Sequence, residues 1–368
     1  MEGIMPADHP GKTIDALLRA NSMTRKELAA RTTVSEKHIS TLISGERNIT
    51  HSFARKLGYV FDGYDAKRWM QLQNEYDSAE LDKKERNSIT DDEFGVMKHL
   101  DEVISYFVRK GLLDLTESKA DRVIRLRSLL KISDLTLMPD VSYNAAYRAQ
   151  LTSNAMVDPY VLFAWQSICE METRDIPAGA DLDVSQLKEK LLTIRSLMFG
   201  SINDGVQKLQ GIMSGCGIRF KVVRNFRGAP VQGFIKSISN DATKKRELIL
   251  CLTLRGARAD TFWFTLFHEI AHVINGDYKA KFVDFASESS EAEAKADSFA
   301  RDFLIPPKEY LAFIREHRIP GWTDIEKFAR KIEVQPFIVL GRLQKDQILD
   351  WSDYAGCVSK YKWLNTED

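Results

Sequence analysis

A chain of 368 residues, 44% of them hydrophobic, has enough apolar material for two or three ordinary domains. No apolar run approaches the ~20 residues of a membrane-spanning helix, and the amino terminus has neither the basic lead nor the hydrophobic core of an export signal, so the expected location is cytoplasmic. The 52 basic and 52 acidic residues cancel, and Cys169, Cys216, Cys251 and Cys357 never form a CxxC pair, which argues against a disulfide frame or a thiolate metal site.

In chain order, the first structural signal is Thr24-Arg25-Lys26-Glu27, the pattern of a capping box opening a short helix. Ser35 is placed to cap a second helix that stops at Gly45. Only Thr32-Thr33-Val34 separates the two, and Leu28, Ala29, Val34, Ile39, Leu42 and Ile43 fall at interior spacing, so a helix-turn-helix is expected. Its second helix is the expected DNA reader. The candidate contact residues are Arg25, Lys26, Ser35, Glu36, Lys37, His38, Ser40 and Thr41. Residues 1–60 hold nine Lys or Arg against six Asp or Glu, a formal charge of +3, and a dimer doubles the cations available to phosphates. A small helical protein-interaction module is the competing reading of this segment.

The charge run Asp82 to Ser88 marks a solvated junction, after which Thr90-Asp91-Asp92-Glu93 has the form of another capping box. Helical periodicity over 94–107, 120–130 and 157–168 then suggests three helices, a region suited to dimerisation or sensing. Tyr160, Phe163 and Trp165 there are expected in a core. A turn-rich stretch at 174–180 closes this part, giving expected domains of 1–82, 83–180 and 181–368.

The last domain begins with a long amphipathic helix expected over 184–213, followed by strands near 218–223, 232–235 and 247–252. A sheet edge among these strands is a candidate for β-augmentation by an extended substrate. Next comes Phe267-His268-Glu269-Ile270-Ala271-His272. This HExxH spacing puts His268 and His272 one helical turn apart on one face, with the Glu269 carboxylate beside them. Zinc at a catalytic site takes three protein ligands and keeps one position open. An alanine-rich helix over 291–304 offers the third ligand as Glu293, with Glu291 the competitor, and places Asp297 to accept a hydrogen bond from a ligand imidazole. The expected chemistry is zinc-assisted amide hydrolysis with Glu269 as base. Tyr278, Tyr310 and His317 are the nearby candidates for oxyanion stabilisation, each more easily explained as structural. Two further short helices, 323–331 and 336–343, carry Trp322, Phe328, Ile338 and Leu340, which favour packing over a second DNA contact.

Residues Leu252 to Gly256, Asp260 to Glu269, Glu293 to Asp297 and Phe303 to Pro306 resemble the ImmA/IrrE metallopeptidase family. That resemblance implies a zincin-like α+β domain with a Glu zinc ligand. The family often has a second acidic residue two positions after the first, where this chain has Lys295. Met23 to Ala29, Val34 to Gly45 and the 53–77 stretch resemble the XRE-type repressor domain of HigA antitoxins. The two resemblances imply a multidomain regulator: an all-α DNA-binding domain, a helical middle region and a C-terminal zinc metalloendopeptidase-like domain. The expected partners are double-stranded operator DNA, a second copy of the chain in a homodimer, and a toxin or repressor protein sensed or cleaved by the peptidase part. Two rival readings are a non-catalytic repressor and toxin-neutraliser that keeps the HExxH part as scaffold or sensor, and a peptidase that merely carries a DNA anchor.

Overall fold

The structure is a computed structural model and describes residues 8–144, 157–177, 180–240, 245–279 and 288–361. Among these residues are seventeen α-helices and one three-stranded sheet. The chain divides into two compact units, Met1–Thr90 and Asp91–Asp368.

The first unit contains α1 (Pro10–Ala20), α2 (Arg25–Thr32), α3 (Glu36–Ile43), α4 (His51–Gly58) and α5 (Ala66–Ser88). Hydroxyl and carboxylate caps start four of them: Thr24 accepts from the Glu27 amide, Ser35 from His38, Thr50 from Phe53 and Asp65 from Arg68. Thr33 takes left-handed backbone angles and ends α2, which lets α3 start three residues later. The core is Ile14, Leu18, Leu28, Ile39, Leu42, Phe53, Leu57 and Trp69. Gly11 is fixed by close approach, because a Cβ there would enter the Leu42 carbonyl. The charge run at 82–88 forms the last turns of α5; it continues the helix where the sequence suggested a junction.

The second unit opens with α6 (Asp91–Val96), α7 (Asp101–Arg109), α8 (Lys119–Leu130), α9 (Met138–Asn144) and α10 (Pro159–Thr173). The apolar period over 94–107 is therefore split between two helices. Glu93, read as a capping-box residue, is buried and takes a bidentate pairing from Arg127 plus the Leu135 amide. Of the turn-rich stretch at 174–180, residues 178 and 179 lie outside the described residues.

The helix expected over 184–213 is two: α11 (Val184–Ser196) and α12 (Ile202–Gly215). Gly200 is extended, and Ser201 caps a fresh start by accepting from the Asp204 amide. Helical periodicity ran through a local breaker whose backbone the sequence pattern does not register.

Strands β1 (Ile218–Val222), β2 (Gly233–Asn240) and β3 (Lys245–Leu252) order as β1-β3-β2, with β1 parallel and β2 antiparallel to β3. The central strand is covered on both faces, which explains its unbroken apolar run. Leu248, Leu250 and Leu252 join the main core, whereas Cys251 on the other face meets Cys169 of α10. Trp165 of α10 also packs on that side, donating from Nε1 to the Arg224 carbonyl at 3.0 Å and meeting Phe234 edge-on.

The remaining helices are α13 (Ala259–Asn275), α14 (Glu288–Leu304), α15 (Pro307–Glu316), α16 (Trp322–Lys331) and α17 (Pro336–Lys345). Phe328, Ile338 and Leu340 are buried in the main core and Trp322 packs against it, as expected of a packing role. Of the last two helices, α17 packs against α13 and α16 packs against α17.

Candidate metal centre

Helix α13 is apolar nearly all round, so it is swallowed by the core: Phe262, Trp263, Leu266, Phe267, Ile270 and Val273 are all buried. Its start receives support from the chain's distal part, where the Ser359 carbonyl accepts from the Ala259 amide and the Tyr361 hydroxyl accepts from Trp263 Nε1 at 2.7 Å. Gly276 ends it with φ of 78°, a left-handed cap whose amide bonds back to the His272 and Val273 carbonyls. Helix α14 approaches closely because Ala296 and Ala300, fully buried, present only methyl groups. Phe267 and Phe303 complete the contact with ring centroids 4.9 Å apart.

This packing brings His268, His272 and Glu293 together, with one donor atom from each residue lying within 4.8 Å of the others. His268 Nε2 and His272 Nε2 are 3.1 Å apart, and the Glu293 oxygens lie 3.1 Å from the first and 3.4 Å from the second. Nitrogens about 2.1 Å from one tetrahedral zinc ion stand about 3.4 Å apart, so the observed spacing is that of atoms able to share an ion. His268 and His272 are at most 1% exposed, a burial that polar rings tolerate only when both nitrogens have partners.

The outward nitrogens are also engaged. His268 Nδ1 is 2.8 Å from Asp297 Oδ1, and His272 Nδ1 is 2.7 Å from Asp277 Oδ2. With each Nδ1–H donated to a carboxylate, each Nε2 is directed at the shared point and its basicity is raised. Asp297 was anticipated from its spacing to Glu293. Asp277 was missed, although Gly276-Asp277 carried a signal: a glycine cap turns the chain back so that the next residue reaches the last helical turn.

Electrostatics follow this geometry. Burial lowers the His268 pKa, but hydrogen bonds to Asp297 and Glu293 and the charges of Glu269 and Glu293 raise it further, to about 9. His272 shifts upward by the same balance, with Glu293 and Asp277 as its hydrogen-bonding partners. Burial works to raise the Glu293 pKa, and the two imidazoles overcome it, holding that carboxyl at about 2. The pocket therefore keeps a carboxylate at neutral pH and favours a cation between the rings. A divalent ion fits this N, N, O donor set.

Glu269, 1% exposed, lies beside the ligand rings and against Gly233, the first residue of β2. Glu291, the rival ligand, is exposed and pairs with Lys295 at 2.8 Å, apart from the His268–His272–Glu293 group. That same pair directs the Lys295 ammonium to Glu291, and its pKa is raised by this carboxylate. Of the oxyanion candidates, Tyr310 is buried and donates to Asp346 at 2.8 Å, and His317 lies beside Glu316, Asp324 and the Phe313 ring. Both are structural. Tyr278 is half-buried, immediately after Asp277.

In the first unit, the eight candidate contact residues are unequal. Lys26, Glu36 and Lys37 are exposed. Ser35 is spent as a cap, Thr41 donates to the His38 carbonyl at 3.0 Å, and Ser40 accepts from Arg25 at 3.3 Å. His38 is half-buried beside Arg47, with Nδ1 2.8 Å from that guanidinium; burial and the charges of Arg47 and Lys56 lower its pKa, so the ring is neutral near pH 7. An open cavity of about 310 Å³ lies along this face, lined by Arg25, Ser40, Thr41, Ile43, Ser44 and Glu46.

Residues 238–344 match the family described as Peptidase_M78: IrrE N-terminal-like domain. The matched segment runs from β2 to α17 and contains every residue of the metal centre except Gly233, so the chain carries an IrrE/ImmA-like peptidase-family domain there. No curated protein matches the chain. Among the described residues no helix is long and apolar enough to cross a membrane.

Proposed function

We propose that the chain is a zinc-dependent endopeptidase-like regulator whose first unit binds DNA. The convergence of His268, His272 and Glu293 on one point, with Glu269 buried alongside, carries the peptidase reading. A bound zinc ion would supply Lewis acidity and a nucleophile at neutral pH. The chain's own residues supply the rest. Asp277 and Asp297 orient the rings, Glu293 adds the carboxylate ligand, and Glu269 accepts the proton of the attacking water and passes it to the leaving amine. The scissile group is a peptide bond in a protein partner, a toxin or repressor in the reading argued from sequence.

The DNA-binding part of the proposal rests on two short capped helices, α2 and α3, with Lys26 and Lys37 exposed. In that reading residues 1–82 form a helix-turn-helix domain, 83–180 a dimerising or sensing region and 181–368 the peptidase domain, with the protein acting in the cytoplasm as a homodimer on double-stranded operator DNA. The deciding experiment for the enzyme is Glu269→Gln. It should keep one zinc per chain and lose about 10²–10⁴-fold in cleavage of a protein substrate. Undiminished proteolysis would remove Glu269 as the base, and a wild-type chain that binds zinc but cleaves nothing would favour the non-catalytic sensor.

A further inference from the structure

The geometry points to Gly233 as a positioning residue for the Glu269 carboxylate. This inference rests on the reading of Glu269 as the base. Gly233 opens β2 opposite Leu252 of β3, and a Cβ built on it would collide with the Oε1, Cδ and Cγ atoms of Glu269. The backbone at Gly233 is not left-handed, so glycine is not demanded by its φ angle. Space is what the position requires. The Glu269 carboxylate occupies the volume that any other residue would fill with its side chain.

The strand cannot simply retreat to make room. Thr253 donates its hydroxyl to the Val231 carbonyl at 2.8 Å and its amide to the Gln232 carbonyl at 2.9 Å, tying the approach to β2 onto the end of β3. Thr265 of α13, one turn before Glu269, donates to Gln232 Oε1 at 3.3 Å and ties the same residues to the metal helix. Both walls are thus fixed, while the three atoms nearest to such a Cβ all belong to the Glu269 side chain. The yielding part in Gly233→Ala is therefore the carboxylate, which swings away. None of those three atoms belongs to the ligands His268, His272 or Glu293.

Four full-length, zinc-loaded proteins test this: wild type, Gly233→Ala, Glu269→Asp and the double variant, assayed on fluorescein-labelled casein, with zinc content measured for each and a metal-free crystal structure of Gly233→Ala. The expected result is unchanged zinc stoichiometry in Gly233→Ala with cleavage lower by about 100-fold, the scale of loss from a 1 Å misplacement. Glu269→Asp, one methylene shorter, leaves room for the methyl group, so adding Gly233→Ala to it should cost less than about threefold. The crystal should show the Glu269 carboxylate displaced and the metal ligands in place. Equal losses in the Glu and Asp backgrounds, or a carboxylate unmoved beside a shifted strand, would overturn the inference. A wild-type chain that spares casein counts against the peptidase reading alone, and the carboxylate position in the variant crystal then decides the role of Gly233.

Discussion

Helix α13 and helix α3 both display polar side chains in a sequence pattern that names a function, yet they treat those side chains in opposite ways. On α13, His268, Glu269 and His272 are almost wholly enclosed, and their partners are built into the fold: Asp297, Asp277, Glu293 and the gap at Gly233. On α3, Glu36 and Lys37 point to solvent, and the partly enclosed Ser40 and Thr41 are already hydrogen-bonded within the unit. Burying ionisable groups is costly unless their partners are present, so an enclosed site records its chemistry in its own geometry. An exposed face leaves that record to its partner.

The comparison breaks first at the ligands. His272→Ala should abolish stoichiometric zinc binding, a loss beyond the roughly 100-fold that an outer-shell carboxylate controls, while Glu291→Ala, removing an exposed group tied to Lys295, should leave zinc content unchanged. Isothermal titration with zinc reads both, and equal losses would move the third ligand to Glu291.

Protons compete with the metal, so pH sharpens the same contrast. With His268 at about 9 when metal-free, the ring must shed a proton for zinc to bind near neutrality, and apparent affinity should climb by about tenfold per pH unit for each proton released, flattening above about 9. The stability of the metal-free chain runs the other way. A His pKa raised from 6.5 to about 9 gives stabilisation that is fully present below pH 6.5 and fades as pH rises through 9, whereas Glu293, held at about 2, contributes above pH 4.5 and fades as pH falls through 2. Melting temperature of the metal-free protein at pH 6 and pH 9 measures it; a higher value at pH 9 would contradict the pairing.

Asp277→Asn keeps size and hydrogen bonding near His272 but removes the charge, and should weaken zinc by about 10–100-fold. On the exposed helix the expected effect is smallest: Lys37→Ala should lower the salt slope of operator binding by about 1, read by titration at several salt concentrations. A slope identical to wild type would detach Lys37 from the phosphates.

How far the sequence carried this picture depends on whether a feature was periodic or conformational. The ligand helix was legible because HExxH spacing and helical geometry are one statement, and the Glu293–Asp297 spacing told the same story on α14. The three strands were legible from short apolar runs near the positions where they form. Asp277 was invisible to periodicity because it depends on a left-handed turn at Gly276, and Gly233 because its role is a distance between a strand and a helix. The break at Gly200 was missed for a related reason: two extended residues, Gly200 and Ser201, interrupt a period without changing the apolar count on either side.

The most direct test is anomalous diffraction at the zinc edge from crystals of the full chain grown with zinc. The account predicts one strong peak bonded to His268 Nε2, His272 Nε2 and a Glu293 oxygen. A peak elsewhere, or none at these residues in zinc-saturated crystals, would contradict it.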